Sequence, residues 1–383
     1  MAQTRPALFQ PVKVGGSSLQ HRVVLCPLTR FRASKTHVPI LPIVKEYYTQ
    51  RGSRPGTLLI SEAAFIAEKA GGYPNAPGIW SDEQIDAWKE VVSSVHAQGS
   101  FIYLQLWALG RAASQSVLKS ENESYDVVSS SDIPLADPEK DKPRPLTIEE
   151  IHEYAELYAQ ASVNAVLKAG FDGVEVHAAN GYLIDQFIQD TCNNRTDLYG
   201  GSIENRCRFA MEVVEKVVKA VGENRTGIRF GPWSEFQDMC MKDPKPTFTY
   251  LVQQLKQLYP TLAYIHLIEP KVKASQYTEE ASHSDASNDF LREIWGERPF
   301  ISAGKYDRES AIAVAEKSAR DGRSELVAFG KYYISNPDLP TRLEEDIPLT
   351  PYNRSVFFLM GDTTPEGYTD YSFASDETRD IQL

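Results

Sequence analysis

The chain has 383 residues, of which 42% are hydrophobic and 24% are charged, an ordinary composition for a globular protein. A chain of this length buries a large core without cross-links, so a collagen, a coiled coil, a disordered chain and a small disulfide scaffold are excluded. The 40 Lys and Arg residues against 52 Asp and Glu residues give a formal charge of −12. This charge disfavours nucleic acid and anionic membranes as partners.

The sequence also bears on the compartment. Residues 1–5 are not followed by an apolar stretch of signal-peptide type, and no segment reaches the ~18 apolar residues of a membrane span. The four cysteines, at positions 26, 192, 207 and 240, show no Cys-x-x-Cys spacing, which is typical of free thiols in a reducing compartment. We therefore expect a cytoplasmic protein without a membrane span.

Eight short runs rich in β-branched and aromatic residues recur along the chain, and most are continuously apolar, as in parallel strands covered on both faces. The predicted strands are residues 22–26, 57–61, 101–106, 173–177, 226–230, 262–267, 299–303 and 325–330. Helical patterns follow them at residues 43–50, 82–97, 147–168, 203–221, 247–258, 288–295, 308–319 and 338–345. The third helix opens on a capping box, Thr147 with Glu150.

Strict alternation of strands and helices predicts a parallel sheet with right-handed crossovers. Eight units favour a closed (β/α)₈ TIM barrel with inserted loops. An open doubly wound sheet would carry G-x-G-x-x-G after an early strand, and the sequence has none. Two separate domains would need a linker near the middle, whereas the polar stretch 119–144 follows the third strand, where barrels carry insertions. We predict one domain spanning residues 1–383.

Barrel enzymes place catalytic groups at the C-terminal ends of the strands and often bind phosphate after strands seven and eight. Gly304-Lys305 and Gly330-Lys331 stand at those two positions. In each pair the glycine lets backbone N–H groups approach an anion, and the lysine adds positive charge. The two pairs predict a phosphate cradle, the alternative being two tight turns.

The fourth strand ends in the segment from His177 to Tyr182. His177 and Asn180 can both hydrogen-bond one oxygen and so polarise a carbonyl, and Tyr182 adds a phenol with a pKa of ~10 that can supply a proton. Because no acidic base stands beside them in the sequence, the set favours reduction of a polarised double bond over hydrolysis. A histidine with a purely structural role is the alternative.

Other strand ends suit a planar heteroaromatic ligand. Gln105 offers a carboxamide for an imide edge, Arg229 a fixed cation, and Thr29 a small hydroxyl donor. Each of them singly is equally compatible with a structural role. Together with the phosphate cradle they indicate a phosphorylated ring system, for which flavin mononucleotide (FMN) is the natural candidate.

Competing chemistries find less support. The seven histidines show no His-Glu-x-x-His motif, so we predict no metal site, and His266 is expected to be a hydrogen-bonded core residue. Cys26 has no base near it in the sequence. Lys305 and Lys331 stand where a Schiff-base lysine would stand, which keeps an aldolase-type reaction open.

Long motifs in the same order along nearly the whole chain resemble the old yellow enzymes, the flavin-dependent ene-reductases, and within them the fungal branch that includes reductases of ergot-alkaloid biosynthesis. The matching motifs are Leu8-Phe9-Gln10-Pro11, His21-Arg22-Val23-Val24, residues 27–32, Gly71-Gly72-Tyr73, Pro77-Gly78-Ile79-Trp80, Gln105-Leu106-Trp107, residues 172–177, Asn180-Gly181-Tyr182-Leu183, residues 194–197, residues 199–206, and Gly330 with residues 332–339.

The resemblance implies a barrel that binds FMN non-covalently, takes hydride from NADPH and reduces small α,β-unsaturated ketones and aldehydes. It implies ring contacts from Pro27, Thr29, Ala63, Gln105 and Arg229. It implies phosphate contacts from Gly304, Lys305, Gly330 and Lys331. By the same likeness His177 and Asn180 hold the substrate oxygen, Tyr182 protonates the α-carbon, and the pocket is shaped by Tyr73, Trp107 and Phe358.

Some positions depart from the family pattern. Lys331 replaces an arginine and loses its bidentate fork, which predicts weaker FMN binding. Ala63 stands where glycine is common and Trp233 where tyrosine is frequent, and the loop 272–277 shows little likeness. The substrate, the stereochemistry, the preference for NADPH or NADH, and the choice between monomer and homodimer stay open. So do two other functions: a flavin- or steroid-binding protein with little turnover, and an enone isomerase.

Overall fold

The computed structural model describes residues 5–270 and 286–375. Eight parallel strands close into a barrel, each pairing with the next and the last pairing with the first. The strands are β1 (Val23–Leu25), β2 (Leu58–Phe65), β3 (Phe101–Trp107), β4 (Gly173–Ala178), β5 (Thr226–Phe230), β6 (Tyr264–Ile268), β7 (Pro299–Ala303) and β8 (Ser324–Phe329). The predicted (β/α)₈ TIM barrel is confirmed.

A helix follows each strand on the outside of the barrel. These helices are α1 (Ile43–Arg51), α2 (Asp82–Ala97), α3 (Ile148–Val163), α4 (Ile203–Val221), α5 (Lys245–Leu258), α6 (Asp289–Trp295), α7 (Arg308–Arg320) and α8 (Leu339–Glu345). The apolar strand residues face both the interior and these helices, which explains why the strands are apolar throughout.

The capping box predicted at the start of α3 is present. The Thr147 hydroxyl accepts a hydrogen bond from the backbone N–H of Glu150 at 3.2 Å, and the Glu150 carboxylate accepts one from the N–H of Thr147 at 2.9 Å. The helix then continues as a π-helical segment, Asn164–Ala169, so its total extent matches the prediction. It ends at Gly170, whose φ of 89° only glycine adopts readily.

The second strand is longer than its sequence pattern indicated. A bulge shifts the register between Ile60 and Ala63, and pairing with β3 then continues to Phe65. The predicted strand ended at residue 61 because the bulge breaks the apolar run at Ser61-Glu62. The consequence for the site is that Ala63 lies inside a strand, at the C-terminal mouth of the barrel.

Two additions complete the barrel. A hairpin of Val12–Val14 with Ser17–Leu19 packs against the interior residues of the strands and closes the N-terminal mouth. The insertion between β3 and α3 carries a short helix, Gln115–Glu121, and a pair of two-residue strands. Across residues 5–270 and 286–375, no helix combines the length and the apolar composition that crossing a bilayer requires.

The segment after α8 returns across the C-terminal mouth and is held there by buried arginines. Arg30 donates to the carbonyl oxygens of Phe357 at 3.1 Å and Gly367 at 2.8 Å. Arg32 donates to three further carbonyl oxygens between residues 362 and 366. These contacts place Phe357 and Phe358 beside the strand ends.

Candidate active site

A cavity of about 430 Å³ opens at the C-terminal mouth of the barrel. It brings together all the residues that the sequence predicted as ring or substrate contacts, namely Pro27, Thr29, Ala63, Tyr73, Gln105, Trp107, His177, Asn180, Tyr182, Arg229 and Phe358. Further lining residues were not predicted, namely Leu28, Phe31, Pro74, Phe236, Ile334, Phe357 and Met360. Most of the additional residues are apolar, so the cavity combines a few polar groups with an apolar wall.

His177 lies at the end of β4, and the turn after this strand brings Asn180 and Tyr182 to the same cavity. Asn180 and Gly181 both adopt left-handed backbone conformations, with φ of 61° and 71°. The Asp185 carboxylate accepts a hydrogen bond from the Gly181 N–H at 2.8 Å and so fixes the turn. As a result the Tyr182 ring centroid lies 5.1 Å from that of His177 and 4.8 Å from that of Trp107.

Burial sets the protonation states of these groups. Burial, Arg229 and His266 together hold the pKa of His177 well below its usual range, so the imidazole is neutral near pH 7. Burial and Tyr73 raise the pKa of Tyr182, and a hydrogen bond from the Gln237 side chain opposes the rise. The cavity therefore offers a neutral imidazole and a protonated phenol side by side.

Four polar atoms of cavity residues are buried and have no hydrogen-bond partner among the described residues. They are His177 Nδ1, Asn180 Oδ1, Trp107 Nε1 and Arg229 Nε. Leaving a buried polar atom unpaired costs free energy, and native proteins rarely do so without reason. Four of them around one cavity indicate a site built for a polar ligand.

Gln105 and Arg229 lie at the deep end of this site. The Gln105 side-chain amide donates to a Glu175 carboxylate oxygen at 2.7 Å, and the other Glu175 oxygen accepts from His266 Nδ1 at 2.8 Å. One Arg229 nitrogen donates to Cys26 Sγ at 3.5 Å. Burial raises the pKa of Glu175, but His266 and Arg229 more than offset it and hold the pKa below its usual value. Glu175 is therefore a buried carboxylate.

The two Gly-Lys pairs occupy the predicted strand ends but, in the described structure, do not line the first cavity. Gly304 and Lys305 line a second cavity of about 340 Å³, together with residues of α6 and α7. Gly330 precedes the short helix Lys331–Ser335, and the Lys331 ammonium lies 5.7 Å from the Tyr352 ring centroid. A Cβ at Gly330 would lie 3.2 Å from Leu28 Cδ2, and one at Gly304 would lie 3.2 Å from Glu269 Cβ. The phosphate cradle stays a prediction.

Gln237 is a polar neighbour of Tyr182 that sequence reasoning missed. It lies in the loop after β5, where Gln237, Asp238 and Cys240 all have positive φ, at 59°, 58° and 86°. Arg111 holds the loop by donating to the Gln237 carbonyl oxygen at 2.9 Å. No glycine marks the left-handed positions, so the sequence carries no turn signal there.

Two departures from the family pattern remain. Trp233, in the loop after β5, donates its indole N–H to Asn288 Oδ1 at 3.1 Å. The loop 272–277 lies outside the described residues.

The barrel carries neutral donors and buried unpaired groups at its C-terminal mouth, an arrangement that suits a bound planar ligand. A model of the NADH:flavin oxidoreductase / NADH oxidase family matches residues 7–350, and the chain belongs to this family. The family model is that of FMN oxidoreductases, which confirms the predicted cofactor. The deep end of the cavity fits it, since Gln105 and Arg229 present an amide and a buried guanidinium with an unpaired nitrogen.

Individual relatives agree with this assignment. The chain is 51% identical over 375 residues to chanoclavine-I aldehyde reductase fgaOx3 of Penicillium roqueforti (strain FM164), covering 98% of each chain. It is 48% identical over 371 residues to a protein of Epichloe festucae var. lolii named probable inactive reductase easA, covering 96% of each. It is 49% identical over 379 residues to NADP-dependent oxidoreductase lnbE of Aspergillus flavus, covering 98% of each.

Among solved structures, the Old Yellow Enzyme from Pichia sp. AKU4542 superimposes with a TM-score of 0.87 at 37% identity, over 96% of this chain and 94% of that one. The predicted resemblance to the old yellow enzymes and to fungal ergot-alkaloid reductases is thereby confirmed.

Proposed function

We propose that this protein is an ene-reductase that takes hydride from NADPH and reduces the activated C=C bond of small α,β-unsaturated aldehydes and ketones, acting as one FMN-binding domain over residues 1–383. The observation that carries the proposal is the neutral His177 and protonated Tyr182 in one buried cavity with Asn180. The relatives named as an aldehyde reductase and an NADP-dependent oxidoreductase support the same substrate class and hydride donor.

Three residues of the chain bind the substrate and supply the proton. His177 and Asn180 hydrogen-bond the carbonyl oxygen of the substrate, which draws electrons from the conjugated double bond and leaves the β-carbon open to hydride. Tyr182 Oη then gives its proton to the α-carbon. Bound FMN supplies the redox chemistry, since its ring can take hydride from a nicotinamide and deliver it to carbon. The net reaction converts NADPH and a proton into NADP⁺ and adds two hydrogens across the double bond.

Thr29, Ala63, Pro27, Gln105 and Arg229 would hold the flavin ring. Gly304, Lys305, Gly330 and Lys331 would hold its phosphate through backbone N–H groups and two ammonium charges. The apolar wall excludes water from the reacting atoms, which strengthens the hydrogen bonds from His177 and Asn180.

The substitution Tyr182→Phe tests the proton donor. It removes only the hydroxyl, so we expect NADPH to reduce the bound flavin at the wild-type rate while the alkene step slows by roughly 10²–10⁴-fold. Stopped-flow absorbance under anaerobic conditions measures the two half-reactions separately, with 2-cyclohexenone as oxidant. Tyr158→Phe is the matched control, because Tyr158 is a buried phenol on α3, away from the cavity. A wild-type alkene rate in Tyr182→Phe would contradict the assigned role.

A further inference from the structure

We infer that Glu175, at the centre of the barrel, is a positioning residue for the flavin: its carboxylate fixes which end of the Gln105 amide faces the cavity. The inference rests on the proposed role of Gln105 as a ring contact. Glu175 does not line the cavity itself, so its action passes through Gln105.

The three residues form one continuous chain of hydrogen bonds across the barrel interior. Gln105 on β3 and Glu175 on β4 are register partners, and His266 reaches them from β6. Gln105 is 2% exposed, and Glu175 and His266 are both fully buried. Strand pairing fixes the backbone of each residue, so the chain of contacts has little room to rearrange.

The chemistry of a carboxylate determines the orientation of both partners. An ionised carboxylate only accepts hydrogen bonds. The Gln105 atom 2.7 Å away must therefore be the amide nitrogen, and His266 must carry its proton on Nδ1. This leaves the Gln105 oxygen and the second amide N–H for the cavity. The edge of an imide ring carries an N–H between two carbonyl oxygens. The Gln105 oxygen can accept from that N–H, and the free amide N–H can donate to one of the carbonyl oxygens.

A neutral residue of the same shape could not impose this orientation. Glutamine at position 175 would present one acceptor and one donor group to two neighbours that both donate. Either Gln105 would turn its oxygen towards residue 175, or His266 would move its proton to Nε2. His266 Nε2 is buried and has no hydrogen-bond partner within the described part of the chain, so an N–H placed there would stay unpaired. We therefore expect Gln105 to turn.

The Glu175 charge has a second consequence at the flavin site. Arg229 stands on β5, next to the two strands that carry Glu175 and His266, and it faces the same cavity as Gln105. A buried carboxylate partly offsets the guanidinium charge. Removing the carboxylate leaves the Arg229 charge less compensated. The site then favours the reduced flavin, which carries more negative charge than the oxidised one.

A double-mutant cycle on FMN binding tests the inference. Apoprotein is titrated with FMN, and quenching of flavin fluorescence gives the dissociation constant for wild type, Glu175→Gln, Gln105→Ala and the double variant. We expect each single change to weaken binding by about tenfold, the value of one well-formed hydrogen bond, and the double change to add nothing further. Non-additivity of this kind marks two residues that act as one unit. The midpoint potential of FMN bound to Glu175→Gln should shift to more positive values.

Glu121→Gln is the matched control. Glu121 accepts a hydrogen bond from His37 at 2.9 Å, so it repeats the carboxylate–imidazole pair outside the barrel, and FMN affinity and potential should stay at wild-type values. Circular dichroism confirms folding of each variant. If Glu175→Gln does not fold, the cycle is run with Glu175→Asp, whose carboxylate is one methylene short of Gln105 and for which the same non-additivity is expected.

The outcomes separate this inference from the proposed function. Additive losses, or unchanged FMN affinity in Glu175→Gln, would overturn the positioning role while leaving Gln105 as a ring contact. Unchanged affinity in Gln105→Ala would remove Gln105 from the ring site and the inference with it. A wild-type protein that binds no FMN would overturn the proposed function itself.

Discussion

The side chain of Tyr182 has aromatic rings on two sides, those of Trp107 and His177, and Gln237 is one of its polar neighbours. Burial alone would hold the phenol firmly protonated and make it a reluctant proton donor. The Gln237 side chain opposes this rise in pKa and so favours the phenolate that forms when the proton leaves. The loop that carries Gln237 is strained at three residues, and such strain is common where a loop serves a site.

Gln237→Met keeps the length of the side chain and removes its donor. We expect the alkene half-reaction to slow by about tenfold, because the phenolate loses one hydrogen bond, while reduction of the bound flavin keeps its wild-type rate. The two half-reactions are measured by stopped flow as for Tyr182. Asp238→Ala, which alters the neighbouring strained residue without touching the phenol, is the control for disturbance of the loop. A loss of rate equal to that in Asp238→Ala would assign Gln237 to loop structure instead.

Among the single residues of the site, the polar groups at strand ends could be predicted from the sequence. His177, Gln105 and Arg229 could be predicted because the ends of parallel strands converge on one mouth. Gln237 could not, since it reaches Tyr182 through a loop that folds back over Gly181, where a Cβ would lie 2.7 Å from Gln237 Cβ. Glu175 escaped notice for another reason: it sits inside an apolar strand, and only the barrel shows which residues it meets.

Among the elements, β1 and β2 are joined near the N-terminal mouth by a buried histidine. The Val23 N–H donates to His21 Nδ1 at 3.2 Å, so the ring proton is on Nε2, which donates to the Thr57 hydroxyl at 2.9 Å. The hydrogen bond that Nδ1 accepts requires a neutral ring, because both nitrogens of a protonated imidazole only donate. Burial and the charge of Arg54 lower the pKa of His21 to about 3.

This histidine makes stability depend on pH. The folded pKa lies below the unfolded value of 6.5, so the contribution of His21 is present above pH 6.5 and is lost as the pH falls towards 3. The loss is about 1.4 kcal/mol per pH unit. In His21→Asn the side-chain oxygen can accept from Val23 but cannot titrate. We expect the difference in unfolding free energy between wild type and His21→Asn, measured in urea, to shrink between pH 7 and pH 4.5. A difference that stays constant would mean that His21 is not buried and neutral.

The order and type of the elements could be predicted from the alternation of apolar runs with amphipathic stretches. The Thr147 capping box also predicted where α3 begins. The predicted end of β2 was wrong, because a bulge at Ser61-Glu62 interrupts the apolar run without ending the strand. A hydrophobicity pattern predicts a strand from the regular alternation of its residues. A bulge interrupts this regularity, although the two strands stay paired.

In the molecule as a whole, the barrel supplies rigid strand ends and the C-terminal segment supplies one wall of the cavity. Arg30 and Arg32 bind carbonyl oxygens of the segment that brings Phe357, Phe358 and Met360 to the cavity. Such contacts leave no trace in the sequence, since any residue offers a carbonyl oxygen. The overall charge of −12 contrasts with the buried cation Arg229 at the cavity, which offers an anionic cofactor a local partner.

The most direct test of the account is identification of the product formed from cinnamaldehyde by purified protein with FMN and NADPH under anaerobic conditions. Polarisation of the carbonyl by His177 and Asn180, with protonation by Tyr182, predicts 3-phenylpropanal and consumption of one NADPH for each molecule formed. Cinnamyl alcohol would mean that hydride reaches the carbonyl carbon. An FMN-loaded, folded protein that consumes no NADPH, or that only isomerises an enone, would contradict the account.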